Sequence, residues 1–502
     1  MFKFLIIAIS GILTGLSFNY NGLSFFIWFS LIPCIYVLSF NKNSLKQNIG
    51  YGIIFTFSFY GTAIYWLSNV TSAGLIALIL YFSIYQILFF IIGGSLYKKT
   101  LTFLTIPCLW VVLEFLKENI WCGFGWLNLG YSQYRNFSLI QIADLFGSKS
   151  ISFLIIMVNV LAYEIGLWFL QGKIFEKAVL NSLLKKIILV LSCFIFCFLY
   201  SSYKMNIFSS LTETEGENFL DVSIVQPNIS QEEKWDSIYA DSIIEKLKDL
   251  GARGQKDSLI IYPEAAWPFI IDMDNIDKIK LVIESLNRNI IIGSVIKEKE
   301  KFYNTTLFFN QNGELIDCYR KIKLVPFGEY VPFRKYLSFI KVINTIGDMD
   351  QGNKYVSFLY KNKNFSSLIC FEDVSPLHVR KVARKNHFLI NSTNDAWFKG
   401  NPQASQHLAV MTFRAIENRI SIVRSANTGI SGWVSFKGEI NEFIRKGENT
   451  FFVGVKDFKI SLNKKRSLYN KIGEFFILAC FIFLILFGFL GSFKKMFYLK
   501  RG

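Results

Sequence analysis

Four short stretches of the 502-residue chain place reactive side chains where apolar runs end. SLIIYPEAAWP sets Glu264 behind the run 258–262 and beside Pro263, where the chain changes direction and a carboxylate can project into a cleft. YRKIKLVPFGEYVPF sets Lys321, Lys323 and Glu329 around a Pro-Phe-Gly turn. FSSLICFED ends its apolar run on Cys370, with Glu372 two residues on. NSTNDAWF packs polar residues 391–395 behind another run, and RSANTGISG at 424–432 does likewise. Each piece alone has an inert reading: a solvated or capping Glu, surface lysines, a packing Cys, or local turn amides. Cys318 is the other Cys between 203 and 472, so a disulfide with Cys370 is a further alternative.

Together, a Cys, a Lys and a Glu without a His nearby in sequence suit covalent attack on a carbonyl. A thiolate must be favoured by a base or a cation, and the tetrahedral oxyanion needs a donor. Glu264 can accept the thiol proton, and Lys321 can lower the thiol pKa and hold the oxyanion. There is no complete G-x-G-x-x-G behind a strand, no Walker loop, no H-E-x-x-H and no C-x-x-C, and His378, His387 and His407 are the only histidines. Nothing therefore anchors a metal or a cofactor, and none is expected.

The elements that must position these residues divide sharply. Hydrophobic residues make up 52% of the chain, aromatics 17% and charged residues 18%, which excludes disorder, collagen-like repeats and a small disulfide scaffold. Apolar runs long enough to cross a hydrocarbon layer of about 30 Å fall near 3–18, 23–40, 50–70, 73–96, 101–118, 149–171, 184–202 and 473–493. Glu114 lies inside the fifth and is expected to serve a structural hydrogen bond. Basic residues gather at Lys3, Lys42, Lys46, Lys98, Lys99, Lys173, Lys177, Lys185, Lys186, Lys494, Lys495, Lys500 and Arg501, all on one side if every span is real. That side is cytoplasmic, and after seven crossings the segment 203–472 lies outside. Topology and attraction to anionic lipid account for much of the net charge of +17, so no nucleic acid partner is implied. Three regions result: a seven-span membrane domain at 1–202, an extracytoplasmic catalytic domain at 203–472, and a final span with a cytoplasmic tail at 473–502.

Within 203–472, short β-rich runs alternate with helical stretches, as in an α/β domain. Strands are expected at 221–226, 258–262, 290–296, 305–309, 365–370, 387–391 and 420–425. Helices are expected at 241–251 and 403–417.

The strings IYPEAAWP, YRKIKLVPFGEYVP, ICFED and NSTNDAWF resemble the nitrilase superfamily, with its Glu-Lys-Cys triad on an αββα sandwich. With the spans, the loop GFGWLNLGYSQ at 123–133 and VQPNISQEEKWD at 225–236, the whole chain resembles the membrane-embedded branch, the apolipoprotein N-acyltransferases. The resemblance implies a polytopic α-helical membrane protein of about eight transmembrane helices that carries a nitrilase-like sandwich. It also implies two-step acyl transfer in the bacterial inner membrane. Cys370 would take an acyl chain from a phospholipid, typically phosphatidylethanolamine, and pass it to the amino group of a diacylglyceryl-cysteine at the start of an apolipoprotein. By alignment the base falls on Glu264. The lysine falls on Lys321 rather than Lys323, because Glu329 follows Lys321 by eight residues. Glu329, Asn304, Phe371 and Asn394 fall among supporting or substrate-binding positions, and Trp235 and Glu372 at the mouth. Phe371 stands where the family often has Tyr, and Lys399 where it commonly has Gly, so altered loop contacts are expected there. The rival readings are a membrane-anchored amidase, whose thioester water hydrolyses, and a non-catalytic lipoprotein-binding scaffold.

Overall fold

The computed structural model describes residues 1–40, 43–97, 101–121, 123–170, 177–214, 219–272, 276–331, 334, 347–398, 400 and 402–499. Lys42, Lys98, Lys99, Lys173, Lys399, Lys500 and Arg501 lie outside the described residues. The chain forms two compact units, residues 205–471 and residues 1–204 with 472–502.

The helical unit is built from apolar segments. Among the described residues, five stretches are long and apolar enough to cross a membrane: Phe2–Asn19, Asn21–Leu38, Ser72–Leu96, Lys149–Leu170 and Ala178–Ser209. The runs expected near 50–70 and 101–118 lie largely within the helices Leu45–Ala63 and Thr102–Asn119, but these carry more polar groups, the latter holding Glu114, Lys117 and Glu118. The last run begins the helix Phe475–Leu499, whose Ile477 and Cys480 pack with Cys108, Val111 and Val112. Small residues let helices approach closely: a Cβ on Gly11 would stand 2.6 Å from the Ser58 Cβ, and one on Gly15 2.7 Å from the Thr62 Cβ. Buried charge is paired, with Lys149 Nζ 2.5 Å from Glu118 and 3.3 Å from Glu474. Glu114 accepts hydrogen bonds from the Trp110 indole at 2.9 Å and the Leu129 amide at 2.8 Å, the structural role expected of it.

In the other unit, thirteen strands among the described residues form two sheets. The strands are β1 Phe219–Gln226, β2 Leu259–Ile261, β3 Ile270–Asp272, β4 Asn289–Glu298, β5 Lys301–Phe309, β6 Leu315–Arg320, β7 Phe358–Tyr360, β8 Lys363–Ile369, β9 Phe388–Thr393, β10 Ser421–Ala426, β11 Gly432–Val434, β12 Ile440–Glu442 and β13 Gly454–Ser461. One sheet runs β13-β1-β2-β4-β5-β6 with β3 beside β4, and the other runs β12-β11-β10-β9-β8-β7.

Alternation of side chains along each strand makes the layers. Val222, Ile224, Leu259, Ile261 and Ile291 point into a core shared with Phe365, Ile369, Phe388, Ile390 and Val423 of the second sheet. Their neighbours Val225, Ile260, Ile290 and Ile292 point the opposite way, onto Ile243, Ile244, Leu247 and Leu250 of the helix Ala240–Ala252 and onto Ile279 and Ile283 of the helix Asp277–Leu286. Each such side chain, once fully buried, contributes about 1.5–3 kcal/mol. Helices Pro376–Ala383 and Gln403–Asn418 lie against β8 and β10, which completes an α-β-β-α stack. The middle of each sheet is parallel, β1-β2-β4 in one and β8-β9-β10 in the other; Glu264 and Cys370 follow β2 and β8, and residues 391–395 form the end of β9 and the two residues after it.

Candidate active site

Carboxyl ends of parallel strands leave backbone groups and side chains unspent, so such ends are where sites form. Glu264 follows β2 in a tight turn, with Ala265 at φ +46°. The residue is 7% exposed. Its Oε1 accepts from Asn304 Nδ2 at 2.7 Å and from Lys321 Nζ at 3.2 Å, and its Oε2 accepts from the Asn394 amide at 2.9 Å. Lys321 follows β6, is 1% exposed, and donates a second bond to Glu329 Oε1 at 2.9 Å. Asn304, on β5, also donates to Glu329, at 2.8 Å, and its main-chain oxygen accepts the Lys321 amide at 2.8 Å. Two carboxylates thus raise the Lys321 pKa against the desolvation that would lower it, and keep the side chain a cation. Lys323, two residues on, is exposed.

Cys370 follows β8 with φ +50°, a left-handed conformation that is strained for a side-chain-bearing residue. Neighbouring contacts hold it there. Asn391 Nδ2 donates to the Cys370 carbonyl at 3.1 Å, and Arg424 Nε donates to Asn391 Oδ1 at 2.8 Å. Arg424 in turn bonds Asp373 at 2.6 Å, and His407 stands 3.0 Å from the same carboxylate. Burial, then Glu264, push the thiol pKa well above its ordinary value, and Lys321 opposes them. Cys370 and Cys318 are both free, not joined in a disulfide.

Glu372 does not stand at a mouth. It is fully buried and accepts from the amides of Ile369 at 2.8 Å, Ile322 at 2.7 Å and Lys323 at 2.9 Å, and from the Tyr319 hydroxyl at 2.8 Å. One carboxylate therefore ties the strand end before Cys370 to the loop that carries Lys321. Trp235 is 46% exposed. Phe371 is half-buried, and Asn394 bridges Gln231 at 3.2 Å and Asn427 at 3.0 Å.

Sequence reasoning missed Lys234, which is 2% exposed and donates to the Glu264 main-chain oxygen at 3.1 Å. Its setting, QEEKWD, reads as a solvated polar run. Its nearest apolar neighbours in sequence, Trp235 and Ile238, are exposed, so the sequence carries no signal of its burial.

A carboxylate, an ammonium held between two carboxylates and a cysteine on a strained strand end, set in an α-β-β-α stack, define a carbon-nitrogen hydrolase domain, and the family model of that description, Carbon-nitrogen hydrolase, matches residues 221–454. A second, described as the Apolipoprotein N-acyltransferase N-terminal domain, matches residues 10–161. The chain is 30% identical to the Apolipoprotein N-acyltransferase of Geobacter metallireducens over 95% of its own length and 93% of that protein's. It is 28% identical to the protein of that name from Rickettsia prowazekii, over 96% and 97%. The chain belongs to the apolipoprotein N-acyltransferase family. With its apolar helices, it is a bacterial membrane protein.

Proposed function

We propose that the chain moves a fatty acyl group from a phospholipid, through a thioester on Cys370, to the α-amino group of the diacylglyceryl-cysteine that begins an apolipoprotein. The observation that carries the assignment of roles is the bracketing of Lys321 by Glu264 and Glu329, at 3.2 and 2.9 Å, with Glu264 and Lys321 both acting electrostatically on the Cys370 thiol. Glu264 takes the thiol proton while sulfur attacks the ester carbonyl, and the Lys321 ammonium stabilises the oxyanion. Collapse breaks the ester bond, and the leaving lysophospholipid alkoxide receives the proton from Glu264. The acceptor amine then attacks the thioester, Glu264 takes its proton, and the departing thiolate is reprotonated. Asn304, Glu329 and Asn394 hold Glu264 and Lys321 in register, Glu372 fixes the two loops, and Trp235 and Phe371 meet lipid or acceptor.

The same reading places eight spans at the intervals given above, with a membrane domain at 1–202, the catalytic domain at 203–472 and the last span and tail at 473–502. It places the catalytic domain on the periplasmic side of the inner membrane, with phosphatidylethanolamine as donor. Donor and acceptor are both lipid-anchored, so a site held at the bilayer surface meets them without extracting either into water. In a reconstituted assay with phosphatidylethanolamine and a diacylglyceryl peptide, Cys370→Ser and Cys370→Ala should stay folded and transfer nothing. Wild-type turnover by either contradicts the reading.

A further inference from the structure

Among the described residues, the sandwich unit buries two lysines, Lys234 and Lys321. Their surroundings differ. Lys321 spends its charge between two carboxylates. Among the described residues, the one side-chain hydrogen bond of Lys234 goes to a neutral carbonyl, the Glu264 main-chain oxygen, at 3.1 Å. An ammonium carries three donors, so two remain uncommitted on a group from which water is almost excluded. A buried charge in that position is costly unless something compensates it.

Charge balance indicates what does. Glu264 and Glu329 together outweigh Lys321 by one negative charge; Asp395 also disfavours the Cys370 thiolate, but His407 and Arg424 offset its charge. Once the thiol proton has moved to Glu264, the sulfur and Glu329 still face the single ammonium of Lys321. A thiolate is expensive in such a pocket without a further cation. We propose that Lys234 is that second cation, its uncommitted N–H groups serving the negative charge that forms at Cys370, first on sulfur and then on the tetrahedral oxygen. This rests on Cys370 being the nucleophile. Desolvation pulls the Lys234 pKa down to about 8, and the neighbouring Glu264 carboxylate opposes the fall.

The test uses the full-length protein in detergent. The alkylation rate of Cys370 by iodoacetamide is followed against pH by mass spectrometry of the Cys370 peptide, beside acyl-enzyme formation from phosphatidylethanolamine and thermal unfolding. In Lys234→Met the rate at neutral pH should fall about tenfold, with the profile displaced to higher pH, as removal of a nearby positive charge requires. Acyl-enzyme formation should slow in parallel, and Lys234→Arg should recover most of both. Lys234→Gln keeps a donor for the Glu264 oxygen and serves if methionine prevents folding. A neutral variant that keeps the wild-type pH profile overturns the inference, and so does a slower rate with an unmoved profile that arginine does not rescue. If wild-type Cys370 neither alkylates nor acylates, the nucleophile reading itself fails. Acylation in wild type with no effect at Lys234 fails this inference alone.

Discussion

Gly293, in the middle of β4, lies so close to the turn that carries Glu264 that a Cβ there would come within 2.7 Å of the Glu264 Cα and 2.5 Å of the Pro263 oxygen. The Gly293 amide donates to that same oxygen at 3.2 Å. Backbone on both sides leaves nowhere for a methyl group to go. Gly293→Ala must therefore displace Glu264 from Lys321 and Asn304.

Overpacking of this kind costs about 1–3 kcal/mol of stability, whereas misplacing a reacting group by about an ångström costs roughly 100-fold in rate. Gly293→Ala should therefore keep a folded protein with a modestly lower Tm and lose acyl transfer by about that factor. A reconstituted transfer assay beside thermal unfolding checks it, and unchanged turnover would contradict the claim that the close approach of Gly293 fixes the Glu264 turn for catalysis.

Lys321→Ala and Lys323→Ala separate two lysines that look alike in sequence. The first removes a cation 1% exposed and leaves Glu264 and Glu329 facing each other without it, the second removes an exposed side chain. Loss of a buried partner costs about 3–5 kcal/mol, and loss of an exposed charge little. Lys321→Ala should abolish acyl-enzyme formation and lower Tm, with Lys323→Ala near wild type in both. Equal losses in the two variants would contradict the assignment of Lys321.

These contrasts show what the sequence could and could not tell. The seven expected strands all form, because their apolar runs bury on both faces, from Phe219–Gln226 to Ser421–Ala426. Ile270–Asp272 and Gly432–Val434 do not read as strands in the sequence, because neither sits in a continuous apolar run as the equally short Leu259–Ile261 does. Gly454–Ser461 was hidden by its exposed or half-exposed Lys456, Asp457 and Lys459, a one-sided edge strand beside β1. Cys370 and Glu264 are legible because each follows an apolar run, whereas Lys321 is told from Lys323 only through the resemblance of its loop. The Arg424 bond to Asp373 joins residues 51 apart, and the Lys234 bond to Glu264 joins residues 30 apart. Only the folded chain brings them together.

Burial raises the Glu372 pKa from 4.5 to about 7, while bonds from the Ile369 and Lys323 amides oppose the rise. A carboxyl whose folded pKa lies above its unfolded value stabilises fully below about pH 4.5, and that contribution is lost as pH rises through about 7, some 3 kcal/mol in all. Wild-type protein should therefore lose Tm from pH 4.5 toward 7 by more than Glu372→Gln does. The glutamine variant should differ least from wild type near pH 4.5, where Glu372 also carries a proton among the same N–H donors. Parallel Tm curves for the two proteins would show that Glu372 does not titrate in this range.

The thioester on Cys370 is the central claim, and intact-protein mass spectrometry reads it directly. Purified wild type and Cys370→Ala are each incubated with phosphatidylethanolamine and no acceptor. The account predicts a fatty-acyl mass gain on wild type that hydroxylamine removes, absent from the mutant, with lysophospholipid released in step. Lysophospholipid and free fatty acid without any adduct would indicate hydrolysis in place of transfer. An acyl adduct that persists in Cys370→Ala, or a folded wild type that gains no mass and releases no lysophospholipid, would contradict the account.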